Sequence, residues 1–530
     1  MIYQNPILRG FYPDPSVCYG NGHFYMVCSS FQFFPGVPLF ESDDLVNWKQ
    51  VGHVLTRHSQ VMLDKVRSSG GVFAPTIRYH EGRFYMVTNN NSTNENFYVY
   101  TDDIYGEWSD PVTVDQDGID PSLLFDAGHV YFLSNGTDDE NKNGIVQCEI
   151  DITTGAKLSP SKCLWTGTGG RYLESPHMYK IGDYYYLMAA EGGTEYGHMV
   201  TYARSKNAWG PFEDYAFNPV LTNRNKAPGI IQGIGHGDLI QNTDGSWYIV
   251  TLGFRQIQLW QPYHHLGREV FLTPVSFSPD NWFTCGDGTT NASYEIPGDF
   301  SQERKELYTF ENTDWNKDWC YLRKYNPDNY HPEKNRIILH GSNISLEDAD
   351  SPTFIGIRQL DFHMHLTVNV LLQFSGATRS TFASCPEPER NVSASCPKLK
   401  RNDAGITLYM CEKEHYDLLI RPKTHKDTVL TNHTPRESEY EVVLRLCIGD
   451  IKHEQKIVPL SGNHCTLKIS SEPEWYSFHV VDDDREVFLG KAQSKYLSSE
   501  VSDGFTGVVI GLFAEGNVTA QFEDYCCKYN

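Results

Sequence analysis

Three acidic residues, Asp14, Asp120 and Glu174, occur at matching points of a repeated sequence pattern. Each lies eight residues before a Gly-x-aromatic/aliphatic-Tyr tetrapeptide. Paired carboxyl groups can hydrolyse glycosidic bonds, because one protonates the leaving oxygen while the other activates water or attacks directly. A third acid nearby raises the pKa of the proton donor. Asp-Pro-Ser is also an ordinary turn sequence, but its recurrence at equivalent points favours a shared active site.

The tetrapeptides predict the elements that bring these acids together. Their five glycines are 60, 46, 54 and 63 residues apart, at Gly22, Gly82, Gly128, Gly182 and Gly245. Repeats of this length, built from short strands and turns, are typical of a β-propeller with one blade per repeat. Five blades place equivalent positions around a common axis. The second repeat has alanine where the acids stand, so the fold itself does not require an acid there.

The repeats end just past the middle of the chain. Residues 1–300 contain them, and a polar, turn-rich connector leads to a second β-rich region, residues 306–530. The strand candidates of that region are unevenly spaced, which favours an antiparallel sandwich. We therefore predict an all-β protein in which a five-bladed β-propeller is followed by a β-sandwich.

Four further side chains are candidates for binding. His236, flanked by glycines, is interpreted as a packed core histidine, a sugar contact or a ligand of a central ion. Arg268 either clamps sugar hydroxyls or neutralises buried carboxylates. Phe31 and Phe73, near the first two blade openings, are candidates for a pocket wall.

Composition narrows the class of ligand and the compartment. A net charge of −23 disfavours nucleic acid and anionic membrane surfaces, because both are polyanions. A neutral sugar fits better, and the 13% of aromatic residues suits stacking on sugar faces. The N-terminus lacks a basic and an apolar leader region, and no apolar stretch is long enough to span a membrane. The 13 cysteines show no metal-type spacing, so we expect a cytoplasmic protein with reduced thiols.

Several motifs together resemble family 43 of the glycoside hydrolases. The opening Asn5-Pro-Ile-Leu-Arg-Gly-Phe-Tyr-Pro-Asp-Pro-Ser16 is similar to that of the family, and further phrases follow in the family's order: Ser30-Phe-Gln-Phe-Phe-Pro-Gly-Val37, Phe73-Ala-Pro75, Gly118-Ile-Asp-Pro-Ser122, Glu174-Ser-Pro-His177, Gly235-His-Gly-Asp238 and Leu266-Gly-Arg-Glu269. The remainder resembles the concanavalin-like sandwich of the β-xylosidase/α-L-arabinofuranosidase branch. Asn326-Pro-Asp-Asn-Tyr330 and Ser351-Pro-Thr-Phe354 carry that likeness.

The resemblance implies an inverting hydrolase. Asp14 would be the general base that activates water, Glu174 the general acid, and Asp120 the residue that orients Glu174 and holds its pKa up. An inverting pair of carboxyl groups is expected to lie about 6.5–9.5 Å apart, which leaves room for the water.

The resemblance also assigns roles to the binding candidates. His236 matches a histidine on the propeller axis that in relatives often contacts calcium or another ion, partly through water, although no cofactor is required for the reaction. Arg268 matches the arginine that binds the sugar hydroxyls. In this branch a sandwich loop closes the pocket and implies exo action. Phe505, in Gly504-Phe-Thr-Gly507, is the candidate contributor.

The predicted substrates are hemicellulose-derived oligosaccharides. Many β-xylosidase relatives have Trp where this chain has Phe73, so we favour release of terminal α-L-arabinofuranosyl residues from arabinoxylan or arabino-oligosaccharides. β-1,4-Xylosidase or dual activity is the alternative. A non-catalytic carbohydrate-binding protein and an endo-acting arabinanase or xylanase are further alternatives. The sequence leaves the oligomeric state open, and an oligomer is compatible with it.

Overall fold

The structure is a computed structural model that describes residues 1–374, 401–423 and 439–530. Nearly all of its regular elements are strands. The strands of the N-terminal part, in chain order, are β1 (Ile2–Gln4), β2 (Ser16–Gly20), β3 (His23–Val27), β4 (Phe33–Phe34), β5 (Gly36–Ser42), β6 (Lys49–Leu55), β7 (Thr76–His80), β8 (Arg83–Asn90), β9 (Glu95–Thr101), β10 (Val112–Val114), β11 (Ile119–Asp126), β12 (His129–Thr137), β13 (Asn143–Glu149), β14 (Lys162–Trp165), β15 (Glu174–Ile181), β16 (Tyr184–Glu191), β17 (Met199–Ser205), β18 (Glu213–Asp214), β19 (Ile231–Gln241), β20 (Trp247–Arg255), β21 (Glu269–Phe277), β22 (Phe283–Cys285) and β23 (Ser293–Glu295).

These strands form five four-stranded antiparallel sheets, which are the five blades of a propeller. The sheets have the strand orders β2-β3-β5-β6, β7-β8-β9-β10, β11-β12-β13-β14, β15-β16-β17-β18 and β19-β20-β21-β22. Strands β2, β7, β11, β15 and β19 are the first of each blade, and their mutual contacts place them nearest the axis. Outside the blades, β1 pairs with β23.

The repeated glycines stand in the hairpins between the first two strands of the blades. In the first blade Gly20 pairs with His23, so Asn21 and Gly22 alone form the turn. Both residues have positive φ, at 51° and 92°. This is the type I′ geometry that suits the twist of a two-residue hairpin and favours glycine at its second position. The second and third blades repeat it, which explains why the tetrapeptide begins with Gly.

A buried ionic cluster lies on the axis and joins four blades. The Asp238 carboxylate on β19 accepts hydrogen bonds from Ser16 Oγ at 2.6 Å, from both Arg78 terminal nitrogens at 2.8 and 3.1 Å, and from Tyr179 Oη at 2.5 Å. His177 Nδ1 lies 2.9 Å from the same guanidinium. Burial alone raises the pKa of Asp238, but Arg78 and the other donors hold it well below its usual range.

The C-terminal part is a sandwich of two eight-stranded sheets. Its short helices are two 3₁₀ turns (Pro327–Asn329 and Ser494–Leu497) and α1 (Ser499–Ser502). Its strands are β24 (Leu307–Thr309), β25 (Cys320–Leu322), β26 (Tyr330–Pro332), β27 (Arg336–His340), β28 (Thr353–Arg358), β29 (Met364–Phe374), β30 (Ala404–Tyr409), β31 (Glu414–Pro422), β32 (Tyr440–Ile448), β33 (Ile451–Pro459), β34 (His464–Glu472), β35 (Trp475–Asp482), β36 (Arg485–Gln493), β37 (Val509–Ala514) and β38 (Val518–Tyr529).

One sheet has the order β26-β27-β38-β29-β34-β35-β36, with β24 also paired to β38, and the other has the order β33-β32-β31-β30-β37-β28-β25-β4. Alternate residues of the strands fill the core between them, as in Leu366, Val368, Val370 and Leu372 of β29. The last strand of the second sheet, β4, comes from the propeller part of the chain. Among the described residues, no helix is long and apolar enough to cross a membrane.

Asp238→Asn tests the axial cluster. The amide keeps the side-chain volume but removes the charge that balances the buried Arg78 guanidinium, so we expect a loss of about 3–5 kcal/mol in the free energy of unfolding. Denaturant unfolding followed by tryptophan fluorescence measures it. The matched control is Asp102→Asn, which breaks an exposed ion pair with Arg83 and should leave the transition almost unchanged. Equal transitions for the two variants would contradict a stabilising role of the axial pair.

Candidate active site

The predicted acids lie at backbone kinks at the start of the blades' first strands. Asp14, Asp120 and His236 all have positive φ, at 56°, 54° and 47°. Left-handed backbone is uncommon for non-glycine residues and concentrates at functional sites. In the fourth blade the kinked residue is Ser175, at 57°, so Glu174 stands one residue ahead of the position that Asp14 and Asp120 occupy.

Asp14 is held as a carboxylate by a cation and a hydroxyl. Its Oδ1 accepts a hydrogen bond from Arg268 Nη1 at 2.9 Å, and its Oδ2 accepts one from Ser29 Oγ at 2.5 Å. Burial alone raises the pKa of Asp14, but Arg268, His236 and Ser29 together hold it below its ordinary value. Asp14 is therefore ionised at neutral pH and able to accept a proton.

Asp120 is buried beside two other acids. Burial raises the pKa of Asp120 well above its ordinary value, and the negative charges of Glu174 and Asp14 raise it further. Asp120 therefore retains its proton at a pH at which an isolated carboxyl group would have lost it. Asp120 Oδ2 also accepts the backbone N–H of Ser175 at 3.0 Å, which fixes the chain directly after Glu174.

The segment before Glu174 is tied to a fully buried acid, Glu191. Its carboxylate accepts the backbone N–H groups of Thr168 and Gly170 at 2.8 and 2.6 Å. It also accepts the Thr201 hydroxyl at 2.8 Å. The Glu174 side chain itself is 18% exposed, so it can reach a ligand while its backbone is fixed.

Two residues between β16 and β17 also belong to the site. Thr194 Oγ1 accepts a hydrogen bond from Arg268 Nη1 at 2.9 Å. The buried His198 places its Nε2 3.2 Å from Glu174 Oε1. Neither residue was predicted from the sequence, nor was Ser29. Gly192-Gly193 marks a turn between two strands of an acid-bearing blade, and that signal could have pointed to the two residues.

The three predicted aromatic residues converge beside Arg268. The ring centroid of Phe31 lies 5.3 Å from that of Phe73 and 6.1 Å from that of Phe505. The Arg268 guanidinium carbon lies 5.8 Å from the Phe31 centroid and 5.7 Å from the Phe505 centroid. Phe505 is 38% exposed, whereas Phe31 is buried. The structure thus brings together all of the aromatic and cationic candidates.

Phe505 belongs to the sandwich, on a segment that packs against the segment carrying Arg268. Its backbone N–H donates to Ser69 Oγ at 2.8 Å, and its carbonyl accepts from Arg268 Nη2 at 3.3 Å. Two residues later the chain touches the backbone of Leu266 so closely that a Cβ on Gly507 would stand 2.3 Å from its carbonyl oxygen. Only glycine allows this approach, which brings Phe505 to the pocket.

His236 lies beside Asp14, with Nδ1 3.7 Å from Asp14 Oδ1. Burial lowers the pKa of His236, so the ring is neutral at neutral pH. Calcium takes six to eight oxygen ligands. Asp14 and Glu174 are the carboxylates that act on the His236 ring, and Asp14 is already paired with Arg268. Asp238 on the same strand already accepts five hydrogen bonds. These side chains therefore do not form a calcium site by themselves.

Comparisons with known proteins agree with this architecture. The sequence profile of "Glycosyl hydrolases family 43" matches residues 3–283, and that of "Beta xylosidase C-terminal Concanavalin A-like domain" matches residues 394–527. The prediction of a five-bladed propeller followed by a concanavalin-like sandwich is confirmed.

Several relatives align over nearly the whole chain. A non-reducing end α-L-arabinofuranosidase of Bacteroides ovatus is 36% identical over 98% of this chain and 92% of its own length. A xylosidase/arabinosidase of Butyrivibrio fibrisolvens is 32% identical over 100% and 98%. Among solved structures, the Bacteroides ovatus xyloglucan PUL GH43B superposes with a TM-score of 0.85 at 34% identity over the full length of both chains. The xylan β-1,4-xylosidase of Bacillus halodurans C-125 also gives 0.85, at 27% identity over 99% and 100%. With a profile over more than half of its length and relatives of this kind, the protein belongs to glycoside hydrolase family 43.

Proposed function

We propose that this glycoside hydrolase is an exo-acting, inverting α-L-arabinofuranosidase that acts on hemicellulose-derived oligosaccharides. The observation that carries the proposal is the opposite protonation of its acids. Asp14 is held ionised by Arg268, whereas burial and the charge of the neighbouring Glu174 raise the pKa of Asp120 well above its ordinary value. A general base and a general acid need these states at the same pH.

In the proposed reaction, Asp14 takes a proton from a water molecule whose oxygen attacks the anomeric carbon. The bond to the leaving oxygen breaks on the opposite face, and that oxygen receives the proton of Glu174. Because one displacement occurs, the anomeric configuration is inverted. Solvent then removes the proton from Asp14 and returns one to Glu174.

Asp120 would act through Glu174. Its carboxyl accepts the backbone N–H of Ser175, the residue directly after Glu174. Removing this acid would therefore affect the placement of Glu174.

We assign binding of the terminal sugar to Arg268, Phe31, Phe73 and Phe505, with His236 on the axial side. The aromatic rings supply apolar faces, and the guanidinium supplies donors for hydroxyl groups. The sandwich, taken as residues 306–530, closes the pocket that the propeller, residues 1–300, opens. A pocket closed by this segment admits a chain end or a side branch, which supports exo action.

Phe73 and the relatives together favour arabinofuranose as the terminal unit. A phenylalanine ring is smaller than the tryptophan expected of many β-xylosidases, and the Bacteroides ovatus relative is an α-L-arabinofuranosidase. β-1,4-Xylosidase activity is the second candidate, since the Butyrivibrio fibrisolvens relative is a xylosidase/arabinosidase. The binding-only alternative is not favoured, because binding does not require acids of opposite protonation.

Family 43 enzymes are generally independent of cofactors, and the proposed reaction routes no step through an ion. A cytoplasmic location remains our proposal. It is supported by the cysteines, since all eleven described ones are unpaired.

NMR-monitored hydrolysis tests the substrate and the stereochemistry together. The substrates are arabinoxylan oligosaccharides, arabinose-bearing xyloglucan oligosaccharides and β-1,4-xylobiose. We expect arabinose to appear first as the β-anomer and xylobiose to remain almost intact. Rapid cleavage of xylobiose to α-xylose would favour the xylosidase activity over the arabinofuranosidase activity. If arabinose appeared first as the α-anomer, the inverting mechanism would be refuted.

Glu174→Ala tests the general acid. Acid assistance matters most for poor leaving groups, so we expect kcat/KM on oligosaccharides to fall about 100- to 10,000-fold, with a much smaller loss on activated aryl glycosides. Asp14→Ala is the matched comparison, because the base is needed whatever the leaving group is, and it should abolish turnover of both substrates. Equal losses for both substrates in Glu174→Ala would contradict its acid role.

Phe505→Ala tests the contribution of the sandwich to the pocket. The carbonyl that binds Arg268 remains, while the ring that faces Phe31 and Phe73 is lost. We expect kcat/KM to fall about tenfold, since one aromatic contact is worth about 1–2 kcal/mol. Phe488→Ala, an exposed phenylalanine of β36, is the control and should keep full activity. Equal activity of the two variants would remove Phe505 from the site.

A further inference from the structure

His198 is a fully buried histidine aimed at Glu174. It is the last residue before β17, and its Nε2 lies 3.2 Å from Glu174 Oε1. Within the described residues, Nε2 makes no hydrogen bond that satisfies normal geometry, although it is shielded from solvent. A buried polar nitrogen without a partner is costly unless a ligand or a mobile proton satisfies it.

The other ring nitrogen fixes the tautomer. His198 Nδ1 lies 3.2 Å from the carbonyl oxygen of Gly233. A carbonyl can only accept a hydrogen bond, so Nδ1 carries the hydrogen. In the neutral ring, Nε2 therefore presents a lone pair to Glu174 and can accept the carboxyl proton.

The ring is also fixed in orientation. It packs against Gly235, where an added Cβ would stand 2.4 Å from His198 Cγ. Any side chain at position 235 would therefore displace the imidazole. Gly235, which precedes His236 in the sequence, thus makes room for His198.

We propose that His198 is a positioning residue that shares one proton with Glu174 through Nε2 and Oε1, and so widens the pH range in which Glu174 can protonate a leaving group. The inference rests on the proposed role of Glu174 as general acid. The proton lies on the carboxyl when His198 is neutral and on Nε2 when Glu174 is ionised. During turnover it passes from the carboxyl to the leaving oxygen, and solvent replaces it after product departs.

The charges around the pair support retention of the proton. Asp14, which is ionised, and Asp120 are the acidic groups around it, and Arg268 and His236 are the basic groups. Arg268 is already paired with Asp14, and His236 is neutral. Two coupled groups that hold one proton in two arrangements lose it at a higher pH than either group alone.

His198→Asn separates this role from simple packing. The asparagine amide can still donate to Gly233 O, but nothing replaces Nε2. We expect the basic limb of kcat/KM to move about one unit to lower pH, and activity on oligosaccharides at pH 7 to fall about tenfold, with little change on activated aryl glycosides. His198→Gln should restore a contact with Glu174. It should not restore the basic limb of the kcat/KM profile to its wild-type pH, because an amide does not titrate. His53→Asn, at a buried histidine of the outer strand β6, is the control and should leave the profile unchanged.

Two outcomes distinguish this inference from the proposed function. If the basic limb of His198→Asn is unmoved while Glu174→Ala keeps its dependence on the leaving group, the proton-sharing role is wrong and the acid assignment stands. If Glu174→Ala shows no such dependence, the acid assignment itself fails.

Selective ¹⁵N-histidine labelling of the wild-type protein gives a readout that needs no His198 variant. The His198 Nε2 resonance should titrate and should change in Glu174→Ala. If the His198 Nε2 resonance changed neither with pH nor in the Glu174→Ala variant, the proposal would be overturned.

Discussion

The pairing of Asp238 with Arg78 on the propeller axis is the interaction on which the rest of the site depends. The two side chains come from the fifth and second blades, and their hydrogen-bond partners come from the first and fourth. A charge pair without access to water is stable only when its geometry is nearly ideal. The cluster therefore fixes the relative positions of the first strands, and these strands carry the proposed catalytic acids at their kinked starts.

The site also uses backbone conformation as a positioning device. At Asp14, Asp120 and Ser175 the chain adopts left-handed angles that a regular strand would not, and each kink redirects a side chain or an N–H group. Asp14 lies beside the Arg268 guanidinium, whereas Asp120 lies beside the carboxyl group of Glu174. The same residue type at equivalent blade positions thus acquires opposite protonation, because its neighbours come from different blades.

Much of this arrangement could be predicted from the sequence, and the part that could not has a physical reason. The Gly-x-x-Tyr repeat follows from two-residue hairpins, which are local, so it is visible along the chain. His198 and Thr194 act through contacts with residues far away in the sequence, so the local Gly192-Gly193 turn marks their segment but not their partners.

The one-residue offset between Glu174 and Asp120 was also hidden, because the sequence does not show which residue adopts the left-handed backbone. Ser175 and not Glu174 carries the left-handed backbone in the fourth blade. Phe31, Phe73 and Phe505 were each predicted from the sequence as wall residues. Their convergence could not be predicted, because Phe31 and Phe73 belong to the propeller and Phe505 belongs to the sandwich.

The short strand β4 has a consequence for biosynthesis. Phe33 and Phe34 pair with Leu322 and Tyr321 of β25, so a strand of the sandwich is supplied by the first blade. The ribosome adds about 5–20 residues per second, so β25 is synthesised roughly 15–60 s after Phe33 and Phe34. During that interval the nascent propeller displays an unpaired aromatic edge, which is a surface that chaperones bind. Because Phe31 lies two residues before β4, the proposed sugar-binding wall reaches its final form only after β25 has been translated.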